Sequence, residues 1–261
     1  MNQSVEFRIE VGSKTDVGRV RENNEDSLCI LPELNLWAIS DGMGGVAHGE
    51  VASALAIETI AAQCHDAHGE SLSALATGSH GDLSKTANRL ADAARAANQK
   101  IFDSATHNPE QQGMGATVVA AWLEGRRLSL VHVGDSRAYL VRSGTLVRLT
   151  EDHSLVAEQV RRGALTPEQA EHSRLQNVLV RALGVREEVE PEASDRDLLP
   201  GDLLLLCTDG LTRPVSDPEI AETLVSSADP QAAADRLVKL ALDRGGEDNV
   251  TVIVVRFAPK S

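Results

Sequence analysis

Apolar residues alternate with polar ones in some stretches of this chain and recur at helical spacing in others. Strands are predicted first, at Glu6–Val11, Ser27–Leu31 and Leu36–Ser40. Two stretches with the period of a helix follow. Glu50–Gln63 carries Val51, Ala54, Leu55, Ile57 and Ile60, and Ser84–Phe102 gathers Ala87, Leu90, Ala91, Ala94, Ala97 and Ile101 on one face. A meander is predicted next, over Ala116–Leu123, Leu128–Val133, Arg137–Val141 and Leu146–Leu149. The stretches "EGRR", "GDS" and "SGT" between these strands have the chemistry of hairpin turns.

Residues 151–184 break this rhythm. They are polar and helix-prone, with Thr166-Pro167 suited to a cap and a first helical residue, and they read as an inserted flap. Strands return at Leu203–Cys207 and Val250–Arg256, with helices starting near Asp217-Pro218 and Asp229-Pro230. Strands grouped in one stretch and helices in another favour an antiparallel sheet covered by helices over alternating βαβ units. The expected organisation is one domain over residues 1–261, with the flap at about 151–184.

Composition narrows the class. The chain has 261 residues, 42% of them apolar and 25% charged, which suits a globular protein with a sizeable core and not a disordered one. The net charge of −14 argues against nucleic acid or an anionic membrane as the main partner. "MNQSVEFRIE" reads as neither a signal peptide nor an anchor, and the apolar runs fall far short of the roughly 20 residues of a membrane span. Cys29, Cys64 and Cys207 form no CxxC pair and read as buried thiols, so a soluble, cytoplasmic protein is expected.

The chemistry lies in carboxylates at strand ends. Asp41 follows "WAIS" and precedes a glycine-rich loop, Asp209 follows "LLLLCT", and Asp135 follows "LVHVG". Asp26 opens one strand and Asp248 stands just before another. Each alone could be a turn or a cap. Converging at one edge of the core, they would repel one another unless protonated or bound to a cation. With no Cys/His spacing for zinc, such a set suits magnesium or manganese, with the Gly42 carbonyl as a further oxygen donor. Paired ions of this kind clamp both a hydroxide and a phosphoryl group. Arg21, five residues before Asp26, offers a guanidinium for a phosphate.

Together the motifs "DVGRVRENNEDS", "AISDGMGGVAHGE", "GMGATVVAAW", "VHVGDSRAYLVR", "LTEDHSLV", "LVRALG", "LLLLCTDGLTRPVSDPEI" and "GGEDNVTVIVV" run nearly end to end. In that order the chain resembles the metal-dependent PPM family of serine/threonine protein phosphatases, the protein phosphatase 2C-like enzymes, in their short bacterial form.

The resemblance implies a four-layer α-β-β-α sandwich of two antiparallel sheets flanked by helices. It implies that Asp41, Asp209 and Asp248 hold two core ions with the Gly42 carbonyl. Glu25 and Asp26 would act mainly through metal-bound waters, and Asp135, with Asp209, would complete a weaker third site. Asn249 would support Asp248, and Arg21 would bind the substrate phosphate, which makes Arg21, Asp41 and Asp209 the catalytic set. A hydroxide bridging the metals would attack phosphorus with no phospho-enzyme intermediate. Substrates would be phosphoproteins, the targets of a Hanks-type kinase in the sense that relatives reverse such kinases, and the enzyme would act as a monomer.

Two departures stand out. Met43 occupies the place of a histidine that eukaryotic relatives have after the first Asp-Gly, so a metal-bound water becomes the expected general acid, with His48 and His153 as alternatives. Arg213 stands where eukaryotic members have another acidic ligand, which weakens the expected third site. The flap charges Glu158, Arg161, Arg162, Arg174 and Arg181 could select phosphopeptides.

Other readings fit less. Gly42, Gly44 and Ala47 match a GxGxxA dinucleotide loop, but Asp41 would then face a pyrophosphate without a metal. Cys207 stands where an aspartyl nucleophile would be needed. A catalytically dead, cation-stabilised scaffold of the same fold would lack ligands that are present here.

Overall fold

The computed structural model describes residues 7–44, 48–69, 83–171, 173 and 175–260. The first residues of the amino terminus, Ala47 of the GxGxxA match and Arg174 of the flap lie outside the described residues.

The chain begins with strands β1 (Phe7–Asp16), β2 (Asp26–Leu31) and β3 (Leu36–Met43), followed by helices α1 (Gly49–Gly69) and α2 (Lys85–His107). Strands β4 (Gly115–Ala116), β5 (Val118–Glu124), β6 (Arg127–Val133), β7 (Arg137–Arg142) and β8 (Thr145–Arg148) come next. Two short helices, α3 (Leu155–Arg161) and α4 (Pro167–Glu171), mark the flap. Then come β9 (Glu192–Asp197), β10 (Leu203–Cys207), α5 (Asp209–Thr212), α6 (Asp217–Ser226), α7 (Pro230–Asp243) and β11 (Val250–Pro259).

The strands form two sheets, ordered β1-β11-β10-β7-β8 and β2-β3-β5-β6-β9, with β4 added to β3, and every pairing is antiparallel. The alternation of each central strand explains how they stack. Trp37 and Ile39, Val119 and Ala121, Leu204 and Leu206, and Ile253 and Val255 fill the space between the sheets. Residues one step along point outward. Leu36 and Ala38 meet α1 and α2, while Leu203, Leu205, Val252 and Val254 meet α6 and α7. A strand buried on both faces reads as a continuous apolar run, which is why "LLLLC" and "VTVIVV" become centres of a sheet. Phe257 closes the middle layer, edge-on to Phe7 at 5.6 Å and to Trp37 at 5.9 Å.

The helices are stopped and started by side chains. Ser84 Oγ accepts from the Ala87 amide at the start of α2, and Asp229 does the same for Ala232 at α7. Ser216 and Glu219 form a reciprocal capping box on α6. Among the described residues no helix is long and apolar enough to cross a membrane.

Two expectations need correction. "GDS" is not a hairpin turn, because β6 lies in one sheet and β7 in the other, so this stretch carries the chain between them. The polar strand β9 was not predicted at all: among the described residues "EASDRD" pairs with β6 on one side only, and an edge strand of this kind needs no apolar alternation.

Candidate active site

Strand register brings the carboxylates to one edge. In the β2–β3 ladder Asp26 stands opposite Asp41. In the other sheet β10 ends with Cys207 flanked by Arg137 of β7 and Val252 of β11. Asp209 after β10, Asp248 before β11 and Asp135 before β7 therefore share that edge. Asp41 feels the charges of Asp26, Asp209, Asp135 and Asp248.

Hydrogen bonds join the two sheets at this point. The Thr208 hydroxyl accepts the Thr251 amide at 3.0 Å and donates its single proton to Asp26 Oδ2 at 3.0 Å. Asn249 Oδ1 accepts the Glu25 amide at 2.8 Å, and its Nδ2 donates to the carbonyls of Val17 and Asn23, each at 2.9 Å. Asn249 thus ties the entry of β2 to the residue beside Asp248. Thr117 brackets Asp41, donating its amide to the Asp41 carbonyl at 2.8 Å and accepting the Asp41 amide on Oγ1 at 3.0 Å. The same Oγ1 meets Ser136 Oγ at 2.7 Å, next to Asp135.

The glycines allow close approach. A Cβ on Gly42 would fall 1.9 Å from the Gly49 carbonyl oxygen and 2.7 Å from that of Glu25, so no larger residue fits. A Cβ on Gly210 would fall 1.9 Å from the Asn249 carbonyl oxygen, and its absence lets the Asp209 turn close on the Asp248 loop.

The electrostatics are those of anions crowded away from water. Burial, reinforced by neighbouring carboxylates, pushes Asp26 and Asp135 up to about 7. Burial and the four surrounding aspartates raise Asp41 well above the ordinary range. Asp209 is raised by burial against the opposing pull of Arg213, and Glu25 by burial against that of Arg21. Among the described residues Asp26 Oδ1 and Asp209 Oδ1 are buried without a hydrogen-bond partner. A buried carboxylate oxygen left unpaired is costly. A hard divalent cation removes both problems, and a donor set of carboxylate and carbonyl oxygens suits magnesium or manganese. The residues present fit such ions.

Two arginines border the carboxylates. Arg21 binds Asp248 through Nε to Oδ1 at 3.0 Å and Nη2 to Oδ2 at 3.1 Å. Arg213 contacts Asp209 Oδ2 and reaches Asp248 Oδ2 at 3.5 Å. The guanidinium of Arg213 lowers the carboxyls of both Asp209 and Asp135 against their burial.

His153 does not face the carboxylates as a proton donor. Its Nδ1 accepts the Gly134 amide at 3.1 Å, and its Nε2 lies between Glu192 Oε1 at 3.0 Å and Arg181 Nη1 at 3.1 Å. Burial, with His132 next, lowers His153 to about 4, so it stays neutral. Its ring stacks on His132 at 4.6 Å, and His132 Nε2 donates to the Glu151 carbonyl at 2.7 Å. His132, His153 and Glu192 are close enough together to suggest a metal site. Protein groups already occupy that place, the Glu151 carbonyl at His132 Nε2 and Arg181 Nη1 3.1 Å from His153 Nε2. His48 lies one residue before α1, beside Gly44.

Thr208 and Thr117 were not singled out in the sequence. Their only signals there are positions next to Asp209 in "CTDG" and within "GATVV".

The comparisons with known proteins agree on one family. The family described as "Protein phosphatase 2C" matches residues 12–250. The chain is 42% identical over 246 residues to "Serine/threonine protein phosphatase PstP" of Mycobacterium tuberculosis, covering 94% of this chain and 44% of that protein. It thus spans less than half the length of these mycobacterial relatives. It is 37% identical over 247 residues to "Serine/threonine phosphatase stp" of Listeria monocytogenes, covering 93% of each. The crystal structure of the M. tuberculosis phosphatase PstP/Ppp superposes with a TM-score of 0.84 at 40% identity, covering 96% of this chain and 99% of that one. The PstP catalytic domain in complex with two manganese ions superposes with a TM-score of 0.81 at 41% identity, covering 96% and 98%.

Proposed function

Because the chain belongs to the protein phosphatase 2C family, we propose that it hydrolyses phosphoserine and phosphothreonine esters in proteins with two manganese or magnesium ions. The observation that carries this reading is the set of converging carboxylates, with two buried oxygens that lack any donor among the described residues.

Asp41, Asp209 and Asp248 would hold the two ions, joined by the Gly42 carbonyl, and the PstP catalytic domain that the chain resembles binds two manganese ions. Asp26 and Glu25 would reach them from the β2 side, Asp26 fixed by Thr208 and the loop of Glu25 by Asn249. Asp135, with Asp209, would offer a third and weaker place, because Arg213 already neutralises part of Asp209. The ions supply, when bound, polarisation of the phosphoryl oxygens and a lowered pKa for water.

Arg21 would turn its fork from Asp248 to the substrate phosphate, a bidentate match for which its planar guanidinium is suited. Met43 has no proton to give, and His153 Nε2 is engaged by Glu192 and Arg181. The leaving alkoxide would therefore take its proton from water and not from either side chain. Residues 1–261 would act as one phosphatase domain and as a monomer, on phosphoproteins made by a Hanks-type kinase. The free thiols of Cys29, Cys64 and Cys207 favour a reducing, cytoplasmic setting.

Manganese-dependent release of phosphate from a phosphothreonine peptide, abolished by chelation and restored by the ion, is the expected result. No release at any manganese concentration would leave a metal-binding scaffold instead. In the same assay Arg21→Ala should raise KM by about tenfold or more and lower kcat much less, since a charge-assisted contact of this kind contributes about 1.5–3 kcal/mol. A fall in kcat with KM unchanged would reassign Arg21 to the chemical step.

A further inference from the structure

Beside the carboxylate centre a cleft of about 790 Å³ opens between the flap and the loop that follows it. Its apolar lining comes from Met43, Leu179, Val180, Ala182, Val185 and Val189. Two of these are unusually open for aliphatic side chains: Val180 is 37% exposed and Val185 is 54% exposed. A single exposed valine needs no explanation, but two on one concave surface beside the half-buried Met43, Leu179 and Val189 call for one.

The cleft is continuous with the site already described. Met43 is the residue after Gly42, and β4 holds Gly115 opposite it. A Cβ on Gly115 would fall 2.8 Å from Met43 Cε and 3.0 Å from Val185 Cγ2. The bare glycine therefore lets Met43 and Val185 close over it, making an apolar seam that leads from the carboxylates into the cleft.

The charges on its walls are largely satisfied within the protein. Glu158 is held by Arg162, Glu190 by Arg95 at 3.1 Å, and Arg181 by Glu192 at 3.4 Å. Arg186 and Glu188 also line the cleft and carry opposite signs. Selection by net charge is thus weak, and the aliphatic floor is the surface left to recognise a ligand.

We propose that this cleft receives an apolar side chain of the substrate polypeptide, close in sequence to the phosphorylated residue, and so gives the enzyme a preference for phosphosites flanked by leucine, valine or a similar residue. The proposal rests on the phosphatase reading above, which supplies the polypeptide. Met43, in the place of a histidine of eukaryotic relatives, would serve as the wall between the phosphate end and the apolar end of the site.

The test uses the full chain with manganese and a set of phosphothreonine peptides in a serine- and asparagine-rich background. One leucine is moved through each flanking position, and para-nitrophenyl phosphate is the substrate with no flanking chain. Leucine at one or two neighbouring positions should raise kcat/KM about tenfold over the leucine-free peptide, as expected for partial burial of one aliphatic side chain. Val185→Asp and Val180→Asp, both at exposed positions, should each reduce that ratio to less than about twofold. The ratio compares two peptides on one enzyme preparation, so a general loss of folded protein does not imitate the effect. Equal rates for all peptides on the wild-type enzyme, or a preference undiminished in both variants, would overturn the proposal. Failure of the wild-type enzyme to cleave even para-nitrophenyl phosphate would instead overturn the phosphatase reading, and this inference with it.

Discussion

Asp41→Asn is expected to abolish turnover while making the metal-free protein more stable. Asparagine keeps the shape of the side chain but loses the negative charge, and with it most of its affinity for a hard cation. Disturbing an outer partner of a metal site typically costs about 10–100-fold, so removal of a ligand should cost about a thousandfold or more in kcat. The stability change should run the other way. The Asp41 carboxyl is raised by burial and by four neighbouring aspartates, so near neutral pH folding must either protonate it or bury its charge. The amide avoids both costs. Each 1 kcal/mol recovered should raise the melting temperature in chelator by about 2–4 °C. Near-wild-type rates with excess manganese would contradict the role of Asp41. A lower melting temperature would show that its charge is not a burden on the fold. Asp209→Asn should share the loss of activity with a smaller gain in stability, because Arg213 already offsets that carboxylate.

The second large effect is a coupling of metal, pH and stability. Asp26 and Asp135 titrate at about 7 in the metal-free fold, against about 3.9 for an unfolded aspartate. At these two carboxyls the folded state thus holds more protons than the unfolded one between these values, so their contribution to stability falls as pH rises. The lowered His153 opposes them below its unfolded value of about 6.5, and the net fall is steepest above that pH. Below about pH 4 the penalty is absent, and above about pH 7 it is complete. With chelator present, the melting temperature should therefore drop between pH 5 and pH 8. Manganese binds the ionised carboxylates and should reverse the drop, so the stabilisation it adds should be larger at pH 8 than at pH 5. Several degrees of difference are expected, and thermal melts with and without the ion at the two pH values measure it. A metal-free protein that becomes more stable on going from pH 5 to pH 8 would contradict the crowding of these carboxyls.

The parts of this architecture that were legible in the sequence are those that burial imposes. "LLLLC" and "VTVIVV" could only be central strands, and Asp209 and Asp248 at their ends were conspicuous as charges abutting apolar runs. Strand β9 escaped because among the described residues it pairs on one side only, so "EASDRD" carries no core pattern. The "GDS" turn has the chemistry of a chain reversal, but turn chemistry does not say which sheet the chain enters next. Thr208 and Thr117 were silent for a different reason. Hydroxyl residues beside strands are common, and only the folded arrangement shows one proton reaching Asp26 and one oxygen receiving the Asp41 amide. The Arg213–Asp209 pair has the i, i+4 spacing of a helical ion pair, but that spacing becomes informative only once α5 is known to begin at Asp209.

Anomalous scattering from crystals grown with manganese tests the central claim most directly. Two peaks about 3.5–4 Å apart are expected, coordinated by the carboxylates of Asp41, Asp209 and Asp248 and by the Gly42 carbonyl. Peaks confined to His132, His153 and Glu192, or none within reach of Asp41 and Asp209, would contradict it.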